Sequence, residues 1–471
     1  MMNFETLDIK AHLFSGKKRI PIVAKCNSKY SFLVRFLDGD SFVDGTEFRK
    51  LIMQIDGTKV ELGPCRLFSE ANIKGYDGRL VFSGDVYDVP ALFSYGKLVR
   101  LQTAFFNLPL LLAYKDKIKP AFKDYTANLL YDLNVYKGLF DEMDIEYSDE
   151  PKHVQRFIQK AIIDTEGTKF MHFLDEKIEE LEHIVASFTK EEHERHGFYF
   201  RKQLWNIILC SPLMKRTNLK PRGYAGDSEM MRMIYSNDYE GESTFSKLMH
   251  KHPLEAIAAR AVRQRRKIIT RKLIEMQKYG SRLPPEKLQA LSVACGPAFE
   301  LKDILSSPAD CEKYHFTFLD QDDSALREAA ALVTQLEKRL GAKIAANYLN
   351  ASVRTMVANR QLVKEWGQFN FIYSMGLFDY LTPPVAKAVL TKLYQLVKPA
   401  GEMLIGNFHV SNPSKYYMAY WNDWVIYHRT ETEFIDLLRT LPSPEAYVFY
   451  EETGSQMFLH IRKPDSHPGR T

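Results

Sequence analysis

The feature that most limits the fold is a regular alternation of strand-like and helix-like segments from Leu288 onward. Short apolar runs are separated by longer segments with apolar residues at three- and four-residue spacing. Such alternation predicts an α/β domain in which helices cover both faces of a parallel sheet. The predicted strands are Leu288–Ala294, Tyr314–Asp320, Lys343–Leu349, Phe369–Met375 and Gly401–Phe408. The predicted helices are Phe299–Ser306, Ser324–Leu340, Arg354–Lys364 and Pro384–Val397.

The end of the chain departs from this alternation. Ala446–Glu452 and Gln456–Lys463 are both strand-like, and only the turn residues Thr453, Gly454 and Ser455 lie between the second run and the first. Two strands joined by so short a turn form an antiparallel hairpin. The sequence therefore predicts a mainly parallel sheet that ends in an antiparallel hairpin.

A small-residue loop follows the first predicted strand, and an acid ends the second. The loop is Ala294-Cys295-Gly296-Pro297-Ala298, and the acid is Asp320. The loop lacks the G-x-G-x-x-G spacing of dinucleotide-binding proteins. Asp320 follows Gly296 at about the 20-residue interval expected of a carboxylate that binds ribose hydroxyls. A tight turn and a helix cap are the structural alternatives.

Further candidates for a nucleoside site follow the later strands. Asn350 could meet the edge of an adenine, although turn or helix-cap chemistry explains it equally well. The segment after the fourth strand runs from Tyr373 to Leu381 and includes Asp379. The other candidates for cofactor contact are Gln321, Ala351, Ser374 and Met375.

From Leu288 to Pro464 the ordered motifs and the terminal hairpin resemble a class I S-adenosylmethionine (SAM)-dependent methyltransferase. The resemblance implies a Rossmann-like sheet whose seventh strand is antiparallel, with SAM as the cofactor. It also implies that the loop after the first strand and Asp320 contact that cofactor, and that the segment after the fourth strand faces the transferred methyl group.

A second distinctive segment is Lys220-Pro-Arg-Gly-Tyr-Ala-Gly-Asp227. Its glycines and proline indicate a specific loop. One interpretation is a packed connector between regions. The other is a lid over the cofactor cavity that contributes Arg222, Tyr224 and Asp227, with the Tyr224 ring near the sulfonium.

Residues beyond the fifth strand supply candidates for the acceptor side. His409 could bind a carboxylate or remove a proton, although a lone histidine is more often structural. A carboxylate acceptor would need a clamp, for which Arg222, His409 and Tyr224 are candidates, whereas a hydroxyl or amine would need His409 or Asp379 as base. An aromatic cluster could line an apolar acyl pocket, and core packing is the alternative. Its members are Tyr416, Tyr417, Trp421, Trp424, Tyr427 and His428.

The chain before Leu288 consists of a strand-rich part and a helix-rich part. Together with the α/β part that follows, this predicts three regions. Residues 1–105 hold short β-like runs separated by Asp-Gly turns, which predicts a small antiparallel barrel. Residues 106–284 form a helical linker or cap region that carries the lid loop, and residues 285–471 form the methyltransferase domain. The predicted strands of the first region are Arg19–Lys25, Tyr30–Leu37, Glu47–Ile55, Lys59–Phe68 and Arg79–Val86. The predicted helices of the second include His153–Ile163, Phe170–Phe188, Arg201–Cys210 and the basic Pro253–Lys278.

This order of regions resembles a bacterial family that joins a PilZ-like domain to a methyltransferase. Some members are described as biosynthetic proteins for 3-hydroxypalmitic acid methyl ester, a quorum-sensing signal. The resemblance implies a small-molecule oxygen acceptor, such as the carboxylate of a 3-hydroxy fatty acid. The segments Lys17–Arg19 and Asp38–Gly45 depart from the PilZ pattern that binds cyclic di-GMP, which disfavours that ligand.

Composition and charge exclude several other classes. A net charge of +5, from 64 basic and 59 acidic residues, is too small to indicate a nucleic-acid-binding protein. The basic cluster Arg260–Lys272 nevertheless keeps nucleic acid as an alternative substrate. There is no apolar run of membrane-spanning length and no signal-peptide pattern, so we expect a cytoplasmic protein. The five cysteines are scattered and predict neither a zinc site nor a disulfide framework. A methyltransferase of another substrate and a non-catalytic sensor module remain alternatives.

Overall fold

The computed structural model divides the chain into two compact units, Met1–Lys117 and Ile118–Thr471. Most of both units is described, with gaps in each. The residues described are 8–16, 18–28, 31–37, 42–55, 58–69, 75–82, 112, 115–279, 287–442 and 444–465.

The first unit contains an eight-stranded sheet in which all the paired strands are antiparallel. In chain order the strands are β1 (Asp8–Ser15), β2 (Lys18–Ser28), β3 (Ser31–Phe36), β4 (Glu47–Phe48), β5 (Lys50–Ile55), β6 (Thr58–Leu62), β7 (Cys65–Phe68) and β8 (Gly78–Phe82). The sheet order is β4-β7-β8-β3-β2-β1-β5-β6. Alternate side chains such as Leu13, Ile22 and Phe32 form its core.

Three details of this sheet differ from the prediction, one of which is that the predicted strand Lys59–Phe68 is two strands, β6 and β7. Strand β1 was not predicted, although Ala11 and Leu13 alternate with more exposed residues in the period of two that marks a half-buried strand. The predicted strand Glu47–Ile55 is two strands that break at Arg49. Lys17 and Asp38–Ser41, which belong to the segments compared with PilZ domains, lie outside the described residues. Closure into a barrel stays a prediction.

The second unit begins with helices, several of which share one apolar core. In chain order the helices are α1 (Pro120–Glu146), α2 (Lys152–Ile162), α3 (Thr168–Val185), α4 (Lys190–Gln203), α5 (Trp205–Ile208), α6 (Pro212–Leu219), α7 (Ser228–Ser236), α8 (Thr244–Glu255) and α9 (Ile257–Tyr279), with a π-helical turn Ile163–Gly167 between α2 and α3. Phe122, Phe170, Phe200 and Phe245 are buried in this core. The predicted single helix Pro253–Lys278 is wrong, because extended backbone at Ala256 separates α8 from α9.

A seven-stranded sheet follows these helices in the same unit. Its strands are β9 (Leu288–Val293), β10 (Tyr314–Asp320), β11 (Ala345–Asn350), β12 (Phe369–Ser374), β13 (Val397–Phe408), β14 (Glu445–Tyr450) and β15 (Gln456–Arg462). The intervening helices are α10 (Leu301–Ile304), α11 (Pro308–Lys313), α12 (Asp323–Leu340), α13 (Val353–Ala358), α14 (Leu362–Trp366), α15 (Pro383–Leu396), α16 (Lys415–Trp421) and α17 (Glu431–Ile435), with 3-10 turns at Phe378–Tyr380 and Asp436–Thr440.

The strand order of this sheet is β11-β10-β9-β12-β13-β15-β14. The five strands from β11 to β13 are parallel, and β15 is antiparallel to both of its neighbours. This confirms a mixed α/β fold with a mostly parallel sheet and a terminal antiparallel hairpin. The chain reverses its direction of winding between β9 and β12, and such a switch point is where open α/β sheets bind ligands.

Apolar side chains cover both faces of the sheet. One face packs against α15 through residues such as Val389, Leu390 and Ile405, and the other packs against α9 and α12 through residues such as Leu273 and Phe316. The strands that are buried on both faces read as continuous apolar runs, which is why the sequence predicted them well. Among the residues described, no helix is both long and apolar enough to cross a membrane.

Candidate functional site

A cavity of about 370 Å³ lies at the carboxyl ends of the central strands. The loop after β9, the end of β10 and the segment after β12 all contribute to its lining, and so do residues of α7 and α9. Its size falls within the range of small-molecule sites. The cavity therefore lies at the switch point of the sheet, where the sequence predicted a ligand.

Three residues of the loop after β9 have left-handed backbone: Ala294 (φ 53°), Gly296 (φ 55°) and Ala298 (φ 50°). This conformation is common for glycine but costs about 1 kcal/mol or more for alanine. A β-carbon at Gly296 would meet no atom of the described residues within 4 Å, so the backbone there faces open space among them. The Cys295 amide donates to the Leu319 carbonyl at 3.1 Å, which ties the loop to the end of β10.

Asp320 is joined directly to this loop. Its carboxylate accepts hydrogen bonds from the amides of Gly296 (3.1 Å) and Asp322 (2.9 Å), and only 7% of the residue is exposed. Burial raises the pKa of Asp320, while the two amides oppose that shift by favouring the charged form. Each carboxylate oxygen can accept a second hydrogen bond, so the group remains able to bind ligand hydroxyls.

Two further acids and a cysteine border the cavity. Burial raises the pKa of Glu300, whose carboxylate accepts a 2.7 Å hydrogen bond from the Tyr373 hydroxyl. Burial also raises the pKa of Asp379 to about 6, opposed by the Phe408 amide at 2.8 Å. The pKa of the Cys295 thiol lies well above its usual value for the same reason, so this cysteine is a neutral thiol and a poor nucleophile.

The loop from Lys220 to Asp227 borders the cavity through Tyr224 and Gly226. Asp227 caps α7 and accepts hydrogen bonds from Arg216 Nε at 2.7 and 2.9 Å, so it fixes the loop from inside the protein. Burial, followed by the nearby Asp320, raises the pKa of Tyr224. The hydroxyl of Tyr224 is therefore neutral at physiological pH.

A close contact with Tyr380 fixes the position of Gly226. A β-carbon on this residue would overlap the Tyr380 hydroxyl, which accepts a 2.7 Å hydrogen bond from Trp424 Nε1. Only glycine fits here without movement of Tyr380. The loop thus approaches the segment after β12 as closely as its backbone allows.

Most of the residues predicted for the cofactor site come together at this cavity. Those that line it are Tyr224, Ala294, Cys295, Gly296, Pro297, Asp320, Gln321, Ala351 and Met375. Two other candidates support the strand ends from outside the lining. The Ser374 hydroxyl donates to the Val293 carbonyl at 3.0 Å, and the Asn350 amide lies 3.4 Å from the Gln321 carbonyl. Cofactor contact by these two residues stays a prediction.

Two of the residues predicted to be catalytic lie elsewhere. Arg222 forms ion pairs with Glu328 (2.7 Å) and Asp322 (3.2 Å), and its guanidinium is absent from the described cavity lining. His409 is also outside that lining, and its ring contacts the Ser411 hydroxyl at 2.7 Å. Both side chains have partners within the protein, and a catalytic role for either stays a prediction.

The aromatic cluster after β13 is dispersed, and of its members Tyr427 is exposed and His428 contacts Asn412. Tyr417 and Trp421 are buried in the helical core, where α16 packs against the helices of residues 118–279. Trp424 lines the cavity instead. Core packing therefore accounts for much of the cluster, and a pocket for an acyl chain stays a prediction.

Sequence reasoning did not single out Arg265, which lines the cavity and is 7% exposed. It was grouped with the other basic residues of its helix. A signal for it is present, because Arg265 lies on the apolar stripe of α9 formed by Val262, Ile269 and Leu273. A charged residue at a stripe position is predicted to be buried, whereas its charged neighbours are predicted to be solvated.

No protein-family model and no curated protein sequence matches the chain. Solved structures with a similar fold include a possible exported protein from Bordetella parapertussis, at 15% identity and a TM-score of 0.38, covering 50% of this chain and 79% of that one. Magnesium protoporphyrin IX methyltransferase from Synechocystis, solved with bound SAM, has 10% identity and a TM-score of 0.31, covering 44% and 84%.

A third similar structure is the N-methyltransferase NodS from Bradyrhizobium japonicum, at 12% identity and a TM-score of 0.29, covering 42% of this chain and 96% of that one. At these identities and TM-scores the likenesses carry no argument of their own about this chain. An assignment of function therefore depends on the strand order of the sheet and on the geometry of the cavity.

Proposed function

We propose that this protein is a SAM-dependent methyltransferase that acts on a small-molecule oxygen acceptor. The observation that carries the proposal is the pairing of Asp320, at the end of β10, with the loop after β9 next to the switch point of the sheet, beside a cavity of suitable size. A carboxylate held by two backbone amides at this position suits the hydroxyls of a ribose.

The residues around the cavity fit a sulfonium nucleoside. Open space beside the Gly296 backbone lets a ligand approach the loop closely. The acids Asp320, Glu300 and Asp379 and the rings of Tyr224 and Trp424 provide surroundings that favour a cation. We assign Asp320 to the ribose, the backbone from Ala294 to Pro297 to the body of the cofactor, and Tyr224 to the side facing the reacting centre.

SAM supplies an electrophilic methyl group when it is bound. The protein contributes alignment and electrostatics, because the transfer is an in-line displacement. An acceptor oxygen forms its bond to the methyl carbon while the sulfur–carbon bond breaks, and sulfur keeps the electron pair as a neutral thioether. A carboxylate acceptor needs no base, since it is already ionised at neutral pH.

The carboxylate of a 3-hydroxy fatty acid is the acceptor we propose to test first. A hydroxyl acceptor would need a base, for which Asp379 in the cavity lining is the candidate, whereas a carboxylate requires only a group that holds it. His409 and Arg222, the earlier candidates for that group, are engaged outside the cavity lining. The product would be a methyl ester.

Calorimetry with S-adenosylhomocysteine and pure protein tests the cofactor assignment. We expect saturable binding with one site per chain, and absence of binding would contradict every methyltransferase proposal and favour a sensor module. Incubation with SAM and 3-hydroxy fatty acids of several lengths, followed by mass spectrometry, tests the acceptor. Methylation of only a different class of molecule in cell extract would contradict the ester proposal but retain the enzyme.

A further inference from the structure

Helix α9 brings the guanidinium of Arg265 to the cavity, where Asp379 interacts with its charge from beyond ion-pair distance and no described carboxylate contacts it. One terminal nitrogen of Arg265 donates to the Met375 carbonyl at 3.0 Å, and the other contacts the Met231 sulfur at 3.1 Å. Its Nε is buried and has no hydrogen-bond partner in the part of the chain that the structure describes. Among the described residues, no carboxylate lies within ion-pair distance of Arg265.

A second buried arginine of the same unit shows the contrast. Arg429 is 3% exposed and donates to the carbonyls of Phe378 (2.7 Å) and Leu381 and to the side chain of Asn407. Oxygen acceptors thus hold that guanidinium on two sides. Burying a charge with fewer partners costs several kcal/mol, so Arg265 keeps a capacity for binding that Arg429 has used.

The surroundings of Arg265 leave its guanidinium accessible from the cavity. Gly376 follows Met375 at the end of β12, and a β-carbon there would lie 3.4 Å from an Arg265 terminal nitrogen. Absence of a side chain at Gly376 therefore keeps the space beside the guanidinium open. A planar guanidinium with free donors matches a carboxylate, which can accept two parallel hydrogen bonds.

We propose that Arg265 is the carboxylate-binding residue of this cavity and that it selects a ligand with a carboxylate at that end. The inference rests on the proposed function, because it assigns part of the same cavity. The carboxylate has two potential sources. One is the amino-acid end of the methyl donor, and the other is the acceptor.

The test compares Arg265→Met with Arg265→Lys and with a control, Arg260→Met. Arg260 is an exposed cation of the same helix that is absent from the described cavity lining. Calorimetry measures four probes: S-adenosylhomocysteine, 5′-methylthioadenosine (which lacks the amino-acid end), 3-hydroxydecanoate and its neutral methyl ester. The last two are measured with saturating 5′-methylthioadenosine. Circular dichroism and thermal melting establish that each variant is folded.

We expect Arg265→Met to weaken one carboxylate-bearing probe by about tenfold to a hundredfold and to leave its neutral counterpart unchanged. Loss restricted to S-adenosylhomocysteine identifies the donor's carboxylate, and loss restricted to 3-hydroxydecanoate identifies the acceptor's. Arg265→Lys should recover part of the affinity, since it restores the charge without the planar fork. Arg260→Met should bind every probe as the wild type does.

The two proposals can fail separately. If the wild type binds either nucleoside but the folded Arg265→Met, or Arg265→Gln where Arg265→Met does not fold, binds all four probes within twofold of it, the Arg265 assignment is overturned and the methyltransferase proposal stands. If the wild type binds 3-hydroxydecanoate in an Arg265-dependent way but neither nucleoside, the methyltransferase proposal is overturned instead. Binding of no probe by the folded wild type overturns both.

Discussion

The cavity has two walls that are built in different ways. The strand wall comprises the loop Val293–Gly296, Asp320 and Ala351, and it consists of residues next to strand ends. The helical wall comprises Tyr224, Gly226, Met231 and Arg265, which come from a loop and two helices. Strand ends converge whenever a parallel sheet forms, whereas the helical wall depends on how helices pack. The first wall is thus a property of the fold, and the second belongs to this chain.

The largest expected effect tests the strand wall. Asp320→Ala removes the carboxylate proposed for the ribose, and we expect S-adenosylhomocysteine affinity to fall at least about tenfold, since hydrogen bonds to charged groups contribute about 1.5–3 kcal/mol each. Calorimetry measures the change. Asp323→Ala, which removes an exposed acid nearby that pairs with Arg327, is the matched control. Unchanged affinity in Asp320→Ala would place the ribose contact elsewhere.

A second test concerns the contact between the two sides of the cavity at Gly226. Gly226→Ala forces a methyl group against the Tyr380 hydroxyl, and we expect it to lower the free energy of unfolding by about 1–3 kcal/mol. Adding Tyr380→Phe removes the oxygen that the methyl group strikes. The double variant should therefore be less destabilised than the sum of the two single variants in urea unfolding. Simple additivity would show that the overlap is relieved in another way.

The third test uses the pH dependence of stability. Burial raises the pKa of Asp379 from its ordinary 3.8 to about 6, so between these values the folded protein binds more protons than the unfolded chain does. The contribution of Asp379 to stability is therefore largest below pH 4 and is lost as the pH rises through 6, by roughly 3 kcal/mol. Asp379→Asn keeps an acceptor for the Phe408 amide but cannot ionise. Its stability relative to the wild type should increase from pH 4 to pH 7, and a constant difference would contradict the burial argument.

The smallest effect is expected outside both walls. His409→Ala removes the Ser411 contact but no part of the described cavity lining, so methyl transfer should change by less than about twofold. The measurement is the rate of methyl transfer to the best acceptor identified by mass spectrometry. A loss of several orders of magnitude would restore His409 as a catalytic residue and would mean that the acceptor reaches beyond this cavity.

The sequence predicts the residues of the strand wall better than those of the helical wall. The parallel strands, the hairpin and Asp320 could be predicted because apolar runs and strand-end residues are local signals. Arg265 was missed because its neighbours on α9 are also basic, and only its place on the apolar stripe distinguishes it. Tyr416–Trp421 was open to two interpretations, because an aromatic run looks the same whether it faces a ligand or joins another core. Long-range packing decides such cases, and a local pattern does not encode it.

Strand β15 has a consequence for how this chain folds as it is synthesised. Among the described strands, β14 precedes β15 in the chain but pairs only with it, and β15 alone covers the outer edge of β13, from Glu402 to Phe408. Until Gln456–Arg462 has been made, β13 presents an open row of backbone donors and acceptors, and β14 has no neighbour. The sheet therefore closes late, and a nascent chain that stalls before Gln456 exposes an edge on which another strand could pair.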